Sequence, residues 1–227
     1  MISGTTNAHT GRPEAASGAV AAARQMMRDA LARAQAGDQP EPVGVDCHSV
    51  PGTGGHGKAR AAALAAVATV MGCQTAIHGN DATRHPRLLF LVGTRSAVAA
   101  VQPLLPDLQQ QIEAAARAAT QTYTTRLRFI TSWQYPVQRR TWIATYHRSY
   151  LRGYGYGIAD TIENVCTTIT GEAAGTGAAV LLTRDAARVQ AVFACEFPDL
   201  RPTRPERHQH PQALAAGRRA GHLTLTP

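Results

Sequence analysis

The residues best suited to chemistry fall in one short stretch, Gly52-Thr-Gly-Gly-His-Gly57-Lys58-Ala59. Its glycine and lysine spacing is that of a phosphate-binding P-loop, where backbone N–H groups and a helix N-terminus cradle phosphate and the lysine neutralises it. Position 59 is Ala, however, so the hydroxyl that would ligate Mg²⁺ is missing. Beside the stretch, Cys47, His48, His56, Cys73, His78 and His85 provide thiol and imidazole groups of the kind zinc takes. Only Cys47-His48 approaches the tight pairing of structural zinc sites. A metal- or nucleotide-dependent hydrolase built on residues 47–58 is therefore one reading. No G-x-S-x-G elbow, no H-E-x-x-H and no paired carboxylates accompany it, so no catalytic residue, cofactor ligand or metal ligand is assigned.

Charge supplies a second chemistry. The chain carries 23 Lys+Arg against 15 Asp+Glu, a formal net charge of +8 and a pI near 9.9. Lys58 is the single lysine; the remaining basic residues are arginines, and alanine is abundant, as in products of GC-rich genomes. Between Ala114 and Ala159 there is no Asp or Glu, yet Arg117, Arg126, Arg128, Arg139, Arg140, Arg148 and Arg152 all lie there. Phe129, Trp133, Tyr135, Trp142, Tyr146, Tyr150, Tyr154 and Tyr156 are interleaved with them. Arginines with exposed aromatics can follow a phosphate backbone and stack on bases, so these seven arginines form a candidate nucleic-acid surface. If they point several ways they simply solvate the fold.

The first reading of function is thus a non-enzymatic accessory protein that associates with nucleic acid through its arginines. The alternative is a protein–protein or homo-oligomer module built on the glycine-rich 153–157 segment and the C-terminal GRRAG. Four widely spaced cysteines without a C-x-x-C, no secretory layout at the start and no apolar run of membrane-spanning length lead us to expect a cytoplasmic chain with reduced thiols and no membrane partner.

Elements that must hold these groups follow from periodicity. Helices are expected from Pro13 to near Gly37, from Lys58 to Met71 with Gly72 as stop, and after a cap at Thr94 or Ser96, with Pro103 and Pro106 splitting or kinking that third helix. Another runs from Thr141 to Cys166, where Gly153, Gly155 and Gly157 require close approach of a second backbone. Short helices are expected at 185–197 and 212–221. Strands are expected at Cys73–His78, at Arg87–Val92 as the central one, and at Ala178–Thr183, while Asp38–Gly57 reads as a long loop with an extended piece at Val43–Val45.

The fold class is α+β, α-rich, with about three strands packed by helices. It is divided as an N-terminal helical segment 1–37, a Gly/Pro-rich loop 38–57, a main α+β domain 58–197 and a Pro/Arg/His-rich linker with a short helix at 198–227. The core should centre on Leu64, Val67, Leu89, Leu91, Val101, Leu108, Ile112, Tyr150, Leu151, Val180 and Leu182.

The order of segments GKARAAALAAVATVMGCQTAI, RLLFLVGTRSAVAAVQPLLPDL and ATYHRSYLRGYGYGIADTI, closing with AAVLLTRDAARVQAVF and ALAAGRRAGHLTL, resembles the bacterial domain of unknown function 2786 family with its C-terminal companion domain. Gly72, Cys73, Gly93, Arg148, Tyr150, Leu151, Gly153, Gly217 and Gly221 carry the likeness, and residues 1–37 resemble only the later part of the family's leading helical domain. The resemblance implies a setting in chromosomes, plasmids and phages of GC-rich bacteria. It implies no activity and no catalytic residue.

Overall fold

The computed structural model describes residues 14–36, 39–79, 85–130, 136–172, 178–201 and 209–223. Its described residues form seven α-helices and three strands: α1 (Glu14–Ala36), β1 (Val43–Val50), α2 (Gly54–Val70), β2 (Gln74–His78), β3 (Arg87–Thr94), α3 (Arg95–Val101), α4 (Leu105–Ile130), α5 (Pro136–Glu172), α6 (Ala178–Glu196) and α7 (Pro211–Leu223). The α-rich α+β class is as expected. No described helix is long and apolar enough to cross a membrane.

The sheet is antiparallel throughout, in the order β1-β3-β2. Its centre is the apolar run Arg87–Val92, extended to Thr94, because a strand flanked on both sides and covered on both faces must be apolar continuously. Leu89 and Leu91 turn one way into the main core, while Val92 and the neighbouring Ala76 turn the other way under Val189 and Phe193 of α6. Phe197 closes that second layer, its ring 5.4 Å from Phe90 and 5.3 Å from Phe193.

Three expectations are corrected here. The third strand is β1, which carries the extended piece expected at Val43–Val45 on to Val50 within what reads as a loop at 38–57; its polar residues Asp46, His48 and Ser49 and its exposed Val45 hide the strand period. Ala178–Thr183 is the first part of α6, since a six-residue apolar run fits either state and the helical spacing continues unbroken to Glu196. Arg126–Arg140, which carries Trp133, Tyr135 and Pro136 and reads from its sequence as less regular, is helical up to Ile130 and again from Pro136.

Elsewhere the expected punctuation holds. Gly72, at φ +86°, ends α2 with the Cys73 N–H bonded back to the Ala68 carbonyl. Thr94 caps α3, its Oγ1 accepting from the Ala97 N–H at 3.3 Å. Pro103 sits in a single 3-10 turn, Gln102–Leu104, which separates α3 from α4.

The main core joins all of these pieces. Leu64, Val67, Leu89, Leu91, Val101, Leu108, Ile112, Tyr150 and Leu151 are buried as expected, while the side chains of Val180 and Leu182 lie outside the described residues. Ala16, Ala19 and Ala23 of α1 and Ala213 of α7 are buried in the same core, so both terminal helical segments pack with the centre. α2 is buried nearly all round, because α5 covers the side that faces away from the sheet.

Glycine makes that packing possible. A Cβ at Gly155 would lie 2.6 Å from Ala63 of α2. On the opposite side of α5, a Cβ at Gly153 would fall on the Leu214 carbonyl and one at Gly157 on the Arg218 carbonyl. Gly217 and Gly221 of α7 meet the Tyr150 and Tyr154 carbonyls in the same way. The backbone approach expected for residues 153–157 therefore has two partners, α2 and α7.

Cysteines divide by burial, and this gives a simple check. Cys47 and Cys195 are exposed, whereas Cys73 and Cys166 are buried, and burial pushes the Cys73 thiol up to about 12. A thiol-reactive dye at neutral pH should label two of the four cysteines in the native protein and all four after denaturation. Labelling of Cys73 in the native protein would contradict this core.

Candidate nucleic-acid interface

α4 and α5 run antiparallel as a long pair; the acid-free stretch 114–159 includes the far parts of both helices, and its residues 148–159 run back into the core. Its base is set by Glu113. This carboxylate accepts from Arg60 Nε of α2 at 2.7 Å and from Arg117 Nε, one turn on, at 3.0 Å, and His147 Nε2 of α5 lies 3.6 Å away. His147 Nδ1 is 3.0 Å from Thr120 Oγ1, and the His56 ring of α2 stands 5.3 Å from the His147 ring.

The Glu113 carboxyl is therefore held far below the usual carboxylate range, because its bonds to His147, Arg60 and Arg117 outweigh the cost of burying it. His56 is pushed below an ordinary histidine, by burial first and then by His147, Arg148 and Arg60, against the opposing pull of Glu113. Three helices thus meet on one carboxylate.

The Gly52–Lys58 motif folds against this base and does not form a phosphate cradle. α2 already begins at Gly54, so Lys58 lies more than a turn inside the helix. Gly52 and Gly54 adopt positive φ, and the turn directs its carbonyls to arginines: Arg60 Nη1 takes the Pro51 carbonyl at 2.8 Å and Arg87 Nη2 the Gly54 carbonyl at 3.3 Å. Gly57 is required because a Cβ there would strike the Gly52 carbonyl.

Among the described residues, no three His, Cys, Asp or Glu side chains come together as a metal site would require. Strand alternation explains part of this. Cys47 opposes Phe90 on one sheet face and His48 opposes Leu89 on the other, so the adjacent pair points apart.

The seven arginines do not share one exposed side. Arg152 is buried at 6% exposure, and Arg148 lies along Gly55 with Nη2 3.3 Å from Thr145 Oγ1. Arg117 is exposed but tied to Glu113. The Arg128 side chain lies outside the described residues. Arg126 and Arg140 are exposed and Arg139 is half-buried, and these three sit beyond the Glu113 base, toward the C-terminal end of α4 and the N-terminal end of α5.

Aromatic side chains run along α5 on both sides of this base. Trp142, Tyr146, Tyr150 and Tyr154 recur every fourth residue and so share one face of α5, where the Tyr146, Tyr150 and Tyr154 rings follow one another at 6.4 and 6.3 Å. Tyr154 is buried, its Oη taking the Gln111 amide at 3.1 Å, whereas Trp142 is 43% exposed. Tyr123 of α4 lies flat on Tyr146, 4.0 Å between centroids, and His210 packs edge-on against both. Compared with protein-family models, curated proteins and solved structures, this chain matches none.

The Arg117-Glu113 spacing of four is legible in the sequence as a helical ion pair. The approach of His147 and Arg60 is not, since each comes from a different helix. The regular Trp-Tyr-Tyr-Tyr spacing is the one sequence signal that pointed to the ladder.

Proposed function

We propose that the protein associates with nucleic acid through the distal α4–α5 hairpin, as a binding protein without catalysis of its own. The observation that carries this reading is a pair of adjacent helices exposing Arg126, Arg140 and Trp142 across a stretch with no carboxylate. Uncompensated guanidinium groups attract a polyanion over a Debye length of about 10 Å, and phosphate contacts release counterions. Arg148 and Arg152 drop out of the contact set proposed from sequence and act within the fold. Kinship with the domain of unknown function 2786 family is kept as part of the proposal, resting on the ordered segments and on glycines 153, 217 and 221, which the helix packing uses.

Replacing Arg126, Arg139 and Arg140 together with Ala tests this reading. Binding of a labelled oligonucleotide at low salt should be lost or weakened by at least tenfold. The slope of log K against log salt should flatten by roughly 0.7–0.9 for each phosphate contact removed. Equal retention of variant and wild type across the salt series would refute the reading.

A further inference from the structure

Resting on that reading, we infer that the partner is single-stranded nucleic acid, and that Trp142 is a stacking platform for one of its bases. The indole is a large apolar surface left 43% exposed on the first turns of α5. Arg139 precedes it by one turn on the same helical face, and Tyr146 follows it by one turn. Arg126 is exposed on α4, one turn beyond Tyr123, whose ring lies flat on Tyr146.

The aromatic residues that follow Trp142 along α5 are packed in place. Tyr146 is held flat against Tyr123, Tyr150 lies 6.4 Å beyond, and Tyr154 is fixed through Gln111, whose Oε1 accepts the Ala16 N–H at 2.9 Å. The ladder passes from fully packed to open, and its open rung is the one flanked by cations. The bases of a duplex are stacked on each other, so an indole on a convex helix face gains nothing from them. An unpaired base offers a free π-face, and its neighbouring phosphates fall within reach of Arg126 and Arg139.

The test compares a thymidine oligomer of about 20 nucleotides with a duplex of equal length, at matched salt, using wild type, Trp142→Ala, Trp142→Phe and the triple arginine variant. The single strand should bind wild type more tightly than the duplex and quench its tryptophan fluorescence. Trp142→Ala should lose about tenfold in single-strand affinity with an unchanged salt slope, and Trp142→Phe should recover most of it. Trp142 lies outside the core, so far-UV circular dichroism of these variants should match wild type.

Single-strand affinity unchanged in Trp142→Ala, or a wild-type preference for duplex, would overturn this inference and leave the arginine reading standing. Undiminished binding by the triple arginine variant would overturn both. So would retention of polyglutamate with no binding of either oligonucleotide, which would assign the surface to an acidic protein.

Discussion

Replacing Gly157 with Val should remove about 3–5 kcal/mol of stability, enough to leave little folded protein at physiological temperature. The added Cβ would fall on the Arg218 carbonyl and crowd the Gly221 Cα, and the obstruction is backbone, which cannot rotate away. α5 and α7 would have to separate along their length, because Gly153, Gly217 and Gly221 depend on the same close spacing. Ordinary overpacking of a core by a methylene costs roughly 1–3 kcal/mol, where side chains can adjust. Gly18→Ala and Gly171→Ala are the controls. A Cβ at either glycine meets nothing within 4 Å, and both lie in helices, so each should be neutral or stabilising by about 0.4–1 kcal/mol. Urea denaturation followed by circular dichroism gives the midpoints, and a Gly157→Val midpoint near wild type would contradict the packing.

Glu113→Gln should be the next most damaging change, at about 3 kcal/mol, because breaking a buried pair strands the remaining charges. The Glu113 side chain is 13% exposed, with Arg60 at 18% and His147 at 11% on either side of it. Arg117 is 73% exposed, so Arg117→Ala should cost no more than about 1 kcal/mol. The pH dependence separates this electrostatic role from packing. Since the folded state holds the Glu113 carboxyl far below its usual range, its contribution is complete above about pH 4.3 and is lost as pH falls toward the folded value. Wild type should therefore lose stability more steeply than Glu113→Gln on acidification below that point. His56 adds an earlier loss in both proteins: its folded pKa is lowered, so the unfolded chain takes up the proton first as pH drops through about 6.5. Parallel acid branches in the two proteins would rule out the carboxylate as the hub.

How much of this was legible beforehand follows from what each signal measures. β3 was readable because a continuous apolar run with no polar interruption suits a central strand. The α5 glycines were readable because three of them inside a helical pattern need a packing reason, although nothing in their spacing says that α2 and α7 would be the partners. Only the start of β1, Val43–Val45, was readable, because Pro40, Pro42, Pro51 and the surrounding glycines dominate its flanks, and because it is an edge strand whose outward residues have no need to be apolar. The charge count identified an acid-free stretch correctly but could not assign directions. A helix turns a list of seven arginines through every azimuth, so Arg152 faces inward while Arg126 and Arg140 face out.

The contact of α5 with α7 also bears on the order in which the chain can finish folding during synthesis. Gly153 and Gly157 leave a bare groove on α5 that only a segment some 60 residues further along can fill. Until α7 has left the ribosome, that groove leaves the Tyr150 and Tyr154 carbonyls without the cover that Gly217 and Gly221 later give them. α5 can coil early, but the neighbour that its glycines fit arrives late, with four glycines along the seam.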